Sequence, residues 1–203
     1  MTAAPRHGLL LAPGASAGRD QPALVAVDEA VSAAGFAVER MDFPYRLAGR
    51  KAPDRPPVLL GAVREAAAAL ARSRRLAPGD IAMGGRSMGG RICSMAAAEG
   101  LPCLALVLVS YPLHPPGRPD RLRVDHFGAL RMPCLFVSGT RDAFATPAEL
   151  EHHTAAIPGP VDHVWIDGGD HGLRRRDEAV AGVVADWLRR LVGSGTDAGG
   201  DPG

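Results

Sequence analysis

The sequence predicts a doubly wound α/β domain, with a mostly parallel sheet of about six strands and helices on both faces. Three observations carry that prediction. Short apolar runs bounded by Gly and Pro alternate with longer runs of helical spacing along most of the 203 residues. The short runs are apolar almost throughout, as expected for strands covered on both faces. A composition that is 46% hydrophobic and 22% charged supplies the core of one domain of this length, and nothing divides it into two.

The elements follow in order. "GLLLAP" (8 to 13) reads as a buried strand, and "DQPALVAVDEAVSAAG" (20 to 35) as a helix with Pro22 early, where a helix tolerates it. "FAVERMDF" (36 to 43) is the next strand, "PPVLLGAVREAAAALARS" (56 to 73) the next helix, and "DIAMGG" (80 to 85) a third strand. A helix over 88 to 99 is expected next, then strands "CLALVLVSY" (103 to 111) and "PCLFVSG" (133 to 139). The pattern closes with a helix near 147 to 156, strand "DHVWID" (162 to 167) and a helix over 177 to 192. Residues 1 to 192 therefore read as one domain, and "GSGTDAGGDPG" (193 to 203), which lacks an apolar anchor, as a disordered tail.

Charge and composition exclude several classes of function. With 23 basic and 22 acidic residues the formal charge is +1, so no global field favours nucleic acid or an anionic membrane. No apolar run approaches the ~18 residues of a spanning helix, and the N-terminal apolar run is too short for a secretory signal, so a cytoplasmic location is expected. Cys93, Cys103 and Cys134 lie in or beside apolar segments without metal-ligand spacing and read as buried, reduced thiols. No ligand cluster such as H-E-x-x-H occurs, so neither a catalytic metal nor a cofactor is predicted. Nothing in the composition opposes a homodimer.

The stretch "DIAMGGRSMGGRICSMAAAEG" (80 to 100) carries the chemistry. Gly85 and Gly89 flank Ser87 in the pattern G-x-S-x-G, which arises by chance in roughly one chain in ten of this composition and so depends on its context. Here the context is a strand, a glycine turn and a helix. Small residues let such a turn approach neighbouring backbone and lift the hydroxyl above the sheet, while the helix N-terminus brings N–H groups and a positive dipole end. A serine hydroxyl needs a base to take its proton and a carboxylate to orient that base. "PCLFVSGTRDAF" ends a strand and presents Asp142, and "HVWIDGGDHGL" ends the last strand and presents His171. Asp167 and Asp170 are competing acids; Asp142 is favoured because Asp170 adjoins His171 in the chain.

"LLLAPGAS", "GGRSMGGR", "SYPLHPPGRP", "FVSGTRDAF" and "GGDHGL" together resemble the compact bacterial α/β hydrolases of the dienelactone-hydrolase-like group, in particular those related to the testis-expressed protein 30 hydrolase-like domain. The resemblance spans roughly residues 7 to 192. It implies an α/β-hydrolase fold without a large lid and a Ser87–Asp142–His171 triad. Dienelactone hydrolases carry a cysteine nucleophile, so Ser87 argues against dienelactone as substrate. An oxyanion hole is expected from the N–H groups of Met88 and Ala15, with Gly14 keeping the first loop close.

Arg86 and Arg91 flank the turn and read either as surface charge or as a fork for a substrate carboxylate or phosphate. Tyr111 and His114 follow the strand next to the nucleophile strand and are candidates for the pocket wall, with Tyr45 and Phe144. His7, His152, His153 and His163 read as solvated or structural. About twenty residues separate Tyr111 from Pro133, too few for a large lid, which predicts an open site for small acyl groups. Three functions stay open: a serine esterase or thioesterase, a non-catalytic interaction module, and a cofactor-free haloperoxidase-like or lyase activity on the same triad.

Overall fold

In a computed structural model that describes residues 4–194, the chain runs β1 (Gly8–Ala12), α1 (Pro22–Ala33), β2 (Ala37–Arg40), α2 (Pro44–Leu47), α3 (Pro56–Arg74), β3 (Ile81–Arg86), α4 (Met88–Ala98), β4 (Leu106–Val109), β5 (Cys134–Gly139), α5 (Pro147–Thr154), β6 (Val161–Ile166) and α6 (Asp177–Ser194). Each expected element is present, and α2, at four residues too short for a periodic signal, is an addition. The helix starts follow from local chemistry. Pro22, Pro44, Pro56 and Pro147 each open a helix, where a missing N–H costs nothing. At α5 the Thr146 hydroxyl accepts from the Glu149 N–H while the Glu149 carboxylate accepts from Thr146 N–H, a reciprocal cap. The expected tail begins at 193, but α6 runs on to Ser194; residues 195–203 lie outside the described residues.

The strands form one sheet in the order β2-β1-β3-β4-β5-β6, parallel at every pairing. Side chains leave a strand on alternate faces, so each strand feeds two cores. Leu9, Leu11, Val107, Val109, Leu135 and Val137 meet α1 and α6 on one face. Leu10, Ala12, Met83, Leu106, Leu108 and Phe136 meet α3, α4 and α5 on the other. Two covered faces explain the uninterrupted apolar runs. The edge strands are the exceptions: β2 and β6 are mostly half-buried, and β6 accordingly carries Asp162 and His163. Asp162 accepts a hydrogen bond from the Trp187 indole at 2.7 Å, tying α6 to that edge. Cys93 and Cys134 are buried and Cys103 half-buried, all three free, and burial pushes the Cys103 and Cys134 thiols up to about 12. No described helix is long and apolar enough to cross a membrane.

This topology decides where a site can form. From β1 the chain moves outward to β2, then returns to build β3 and the remaining strands on the other side of β1. Loops leaving β1 and β3 therefore diverge, and a crevice opens above their carboxyl ends. The backbones below it are in close contact: a Cβ on Gly85 or on Gly89 would overlap the Ala12 carbonyl, and one on Gly84 would overlap Val107.

Gly89→Ala should therefore cost at least about 3 kcal/mol or prevent folding, because backbone atoms cannot yield as a flexible side chain can. Gly61→Ala, on the exposed face of α3 with nothing within 4 Å, should instead stabilise by up to ~1 kcal/mol. Urea denaturation of the two variants measures both; equal effects would remove the close-approach explanation.

Candidate active site

Ser87 sits between β3 and α4 at φ 51° and ψ −116°, a conformation that L residues adopt only when their surroundings impose it. Its N–H donates to the Val109 carbonyl at 2.8 Å, and its own carbonyl accepts from Arg91 N–H at 3.1 Å as α4 begins. The turn is thus fixed on both sides. Its hydroxyl is held outward, beside the first N–H groups of α4, which have no acceptor within the helix.

Three side chains meet there. Ser87 Oγ lies 2.9 Å from His171 Nε2, and His171 Nδ1 lies 2.8 Å and 3.0 Å from the two carboxylate oxygens of Asp142. A carboxylate can only accept, so Nδ1 carries the ring proton, and Nε2 is left to accept from the serine hydroxyl. The Asp142 side chain is fully buried. It also accepts from the Phe144 N–H at 2.8 Å, while the Phe144 ring stacks on His171 with centroids 3.8 Å apart. The two loops are stitched to each other: Arg141 N–H donates to the Gly169 carbonyl at 2.8 Å, and Gly139 passes too close to Gly169 for any side chain. Asp167 instead accepts from the Thr140 hydroxyl, and Asp170 is exposed. Of the three candidate acids only Asp142 reaches the imidazole.

A cavity of about 430 Å³ opens over Ser87, lined by Gly14, Ala15, Met88, Phe144, His171 and three arginines, among others. On the first loop, the Gly14 N–H is engaged by the Gln21 side chain at 3.1 Å, and the Ala15 carbonyl accepts from the buried Tyr45 hydroxyl at 2.6 Å. Tyr45 therefore supports that loop from beneath and does not border the cavity. With the Gly14 N–H occupied, Ala15 and Ser16 are the residues of that loop that line the cavity beside Met88.

Several placements differ from the expected ones. A structure in which Tyr111 is 1% exposed, packed on Phe127 and Phe136, and donates its hydroxyl to the Arg123 carbonyl at 2.7 Å removes it from the cavity wall. His114 is likewise buried: its N–H donates to the Phe144 carbonyl at 3.1 Å and its Nε2 lies 3.6 Å from Glu149, so it clamps the Asp142 loop to the segment after β4. Arg86 does line the cavity, yet its Nη2 donates to the His171 carbonyl at 2.6 Å. Burial lowers its pKa below the usual guanidinium range, opposed by the carboxylates of Asp142, Asp170 and Asp177. Arg123, Pro53 and Ser16 also line the cavity and were not foreseen, since loop residues distant from the G-x-S-x-G turn carry no spacing signal. The 112–132 segment holds one short 3-10 turn, Phe127–Ala129, and no helical lid.

Comparison with known proteins places this architecture. The alpha/beta hydrolase domain family matches residues 5–187. The chain belongs to that family. Among solved structures, Est1E from Butyrivibrio proteoclasticus superposes with a TM-score of 0.75 at 17% identity, covering 94% of this chain and 90% of that one. A dienelactone hydrolase from Anabaena variabilis gives 0.74 at 22% identity over 91% and 87%, and an alpha-beta serine hydrolase homologue from Coxiella burnetii 0.74 at 14% over 92% and 87%. At these identities the likeness is one of fold, shared by this hydrolase domain along nearly its whole length.

Near the site of this alpha/beta hydrolase, His126 is half-buried: its Nε2 meets the Ser94 hydroxyl at 2.8 Å, and that hydroxyl donates to the Arg91 carbonyl. Burial first, and the Arg91 charge second, lower its pKa from 6.5 to about 4. The unfolded chain therefore takes up a proton at a pH where the folded one does not. Stability from this group is complete above pH 6.5 and lost as pH falls towards about 4, by roughly 2–3 kcal/mol. Urea denaturation across that range should show a shallower loss for His126→Gln than for wild type; parallel curves would rule the histidine out as the source.

Proposed function

We propose that this chain is a serine hydrolase that cleaves small carboxylic esters or thioesters through an acyl-enzyme. The observation that carries the proposal is the unbroken series of hydrogen bonds Ser87–His171–Asp142 at 2.9 and 2.8 Å on a strained strand-to-helix turn. In this reading Ser87 Oγ attacks the acyl carbon as His171 Nε2 takes its proton. The N–H groups of Met88 and Ala15 receive the oxyanion, worth roughly 3–4 kcal/mol of transition-state stabilisation for a single good donor. Collapse expels the alcohol or thiol, to which His171 returns the proton. Water, deprotonated in turn by His171, then releases the acid and restores Ser87. Asp142 stays ionised and keeps the proton on Nδ1 throughout, which leaves Nε2 free to act.

An organophosphonate probe should label the native protein at Ser87; Ser87→Ala should abolish labelling and His171→Ala reduce it severely. Asp142→Asn should leave the fold intact and lower turnover by up to ~10⁴-fold, since an amide can favour the wrong histidine tautomer. Asp167→Asn and Asp170→Asn should do far less. A folded wild type that resists the probe and hydrolyses no short ester or thioester would favour an interaction module on the same fold.

Phe144, Pro53 and Pro112 border the cavity, and no helical lid extends it. Turnover of para-nitrophenyl esters should accordingly fall from short to long acyl chains. A steady rise with chain length would contradict the open-site reading.

A further inference from the structure

The cavity wall carries an excess of positive charge that the proposed chemistry does not use. Its twelve lining residues include Arg86, Arg91 and Arg123 and no carboxylate. Arg86 is accounted for by its bond to the His171 carbonyl and by the carboxylates around it. Arg91 and Arg123 are not. Arg91 lies one helical turn beyond Ser87, and side chains on a helix lean back over the preceding turn, so its stem runs towards the elbow. Its Nε is buried without a hydrogen-bond partner, and no ion pair reaches it among the described residues.

Arg123 comes from the 112–132 segment and is fixed there through its backbone. Its N–H donates to the Leu113 carbonyl at 2.9 Å and its carbonyl accepts from the Tyr111 hydroxyl at 2.7 Å, leaving its guanidinium one long bond of 3.3 Å to the Pro112 carbonyl. Burial, with the Arg91 charge second, lowers its pKa. Two half-buried cations repelling each other across a cavity are unfavourable unless something shared neutralises them, and each guanidinium offers five donors in a planar fork suited to an oxyanion.

We propose that Arg91 and Arg123 form an oxyanion-binding subsite beside Ser87, so that the substrate is an ester or thioester bearing a carboxylate or a phosphate. The substrate half of this proposal rests on the hydrolase reading above; the binding half does not. Tyr111 then acts as a positioning residue that holds Arg123, and Arg86 stays with the catalytic loop.

Binding is tested without turnover by calorimetry on Ser87→Ala with glutarate and with inorganic phosphate. One of the two should bind in the millimolar range or tighter, and Arg91→Gln with Arg123→Gln should weaken it by at least about tenfold, as expected for lost charge-assisted bonds. Which anion binds tells the carboxylate source from the phosphate source. In the active protein, the ratio of kcat/KM for mono-para-nitrophenyl glutarate to that for para-nitrophenyl butyrate should exceed about ten and collapse towards one in the double variant. Binding of neither anion, or binding unchanged by the double variant, overturns the subsite. Hydrolysis of both esters without charge preference overturns its role in selecting substrate while leaving the hydrolase reading intact. Anion binding without any hydrolysis or probe labelling sinks the hydrolase reading and keeps the subsite.

Discussion

The contact between the Ala12 carbonyl and the glycines of the elbow is the constraint on which the rest of the site depends. β1 and β3 are hydrogen-bonded neighbours up to the pairing of Ala12 with Gly85, and α4 must leave immediately beyond. It can do so only by laying Gly89 against the end of β1. That approach forces Ser87 into its positive φ, raises its hydroxyl, and brings the first N–H groups of α4 alongside the Gly14–Ala15 loop. One steric condition thus sets the Ser87 hydroxyl, the N-terminus of α4 and the neighbouring Gly14–Ala15 loop at once.

The remaining parts of the site are placed by loops that brace one another more than by the sheet. Asp142 and His171 leave β5 and β6, neighbouring strands, so their loops lie side by side and exchange the Arg141–Gly169 hydrogen bond. Phe144 closes the arrangement by donating to Asp142 and stacking on His171, and His114 ties the Phe144 carbonyl to the segment after β4. Burying Asp142 without such partners would cost several kcal/mol. With Nδ1 and the Phe144 N–H both directed at it, the carboxylate exchanges water for fixed donors that also orient the imidazole.

How much of this was legible in the sequence follows the physics of each part. Strands such as "LVLV" declare themselves because burial on both faces leaves only apolar residues, and Ser87, Asp142 and His171 stand out because each follows a strand end. α2 left no trace, being a single turn without a period. Their place after β4 suggests Tyr111 and His114 for the pocket, but proximity along the chain does not say which way a side chain turns. The Tyr111 ring turns into a core already holding Phe127 and Phe136, and His114 reaches α5. Arg123 was invisible for the complementary reason: only the fold carries an irregular segment back over the elbow.

The two kinds of position also divide the work of the site. Where backbone approaches backbone, at Gly85 and Gly89, the sequence has almost no freedom, and the chemistry of the elbow is fixed with the fold. Where side chains project from the 112–132 segment or from the half-buried first turn of α4, the sheet imposes nothing, so Arg91 and Arg123 can change without moving Ser87. The charge that Arg91 and Arg123 turn to the cavity can therefore be read separately from the Ser87–His171–Asp142 hydrogen bonds.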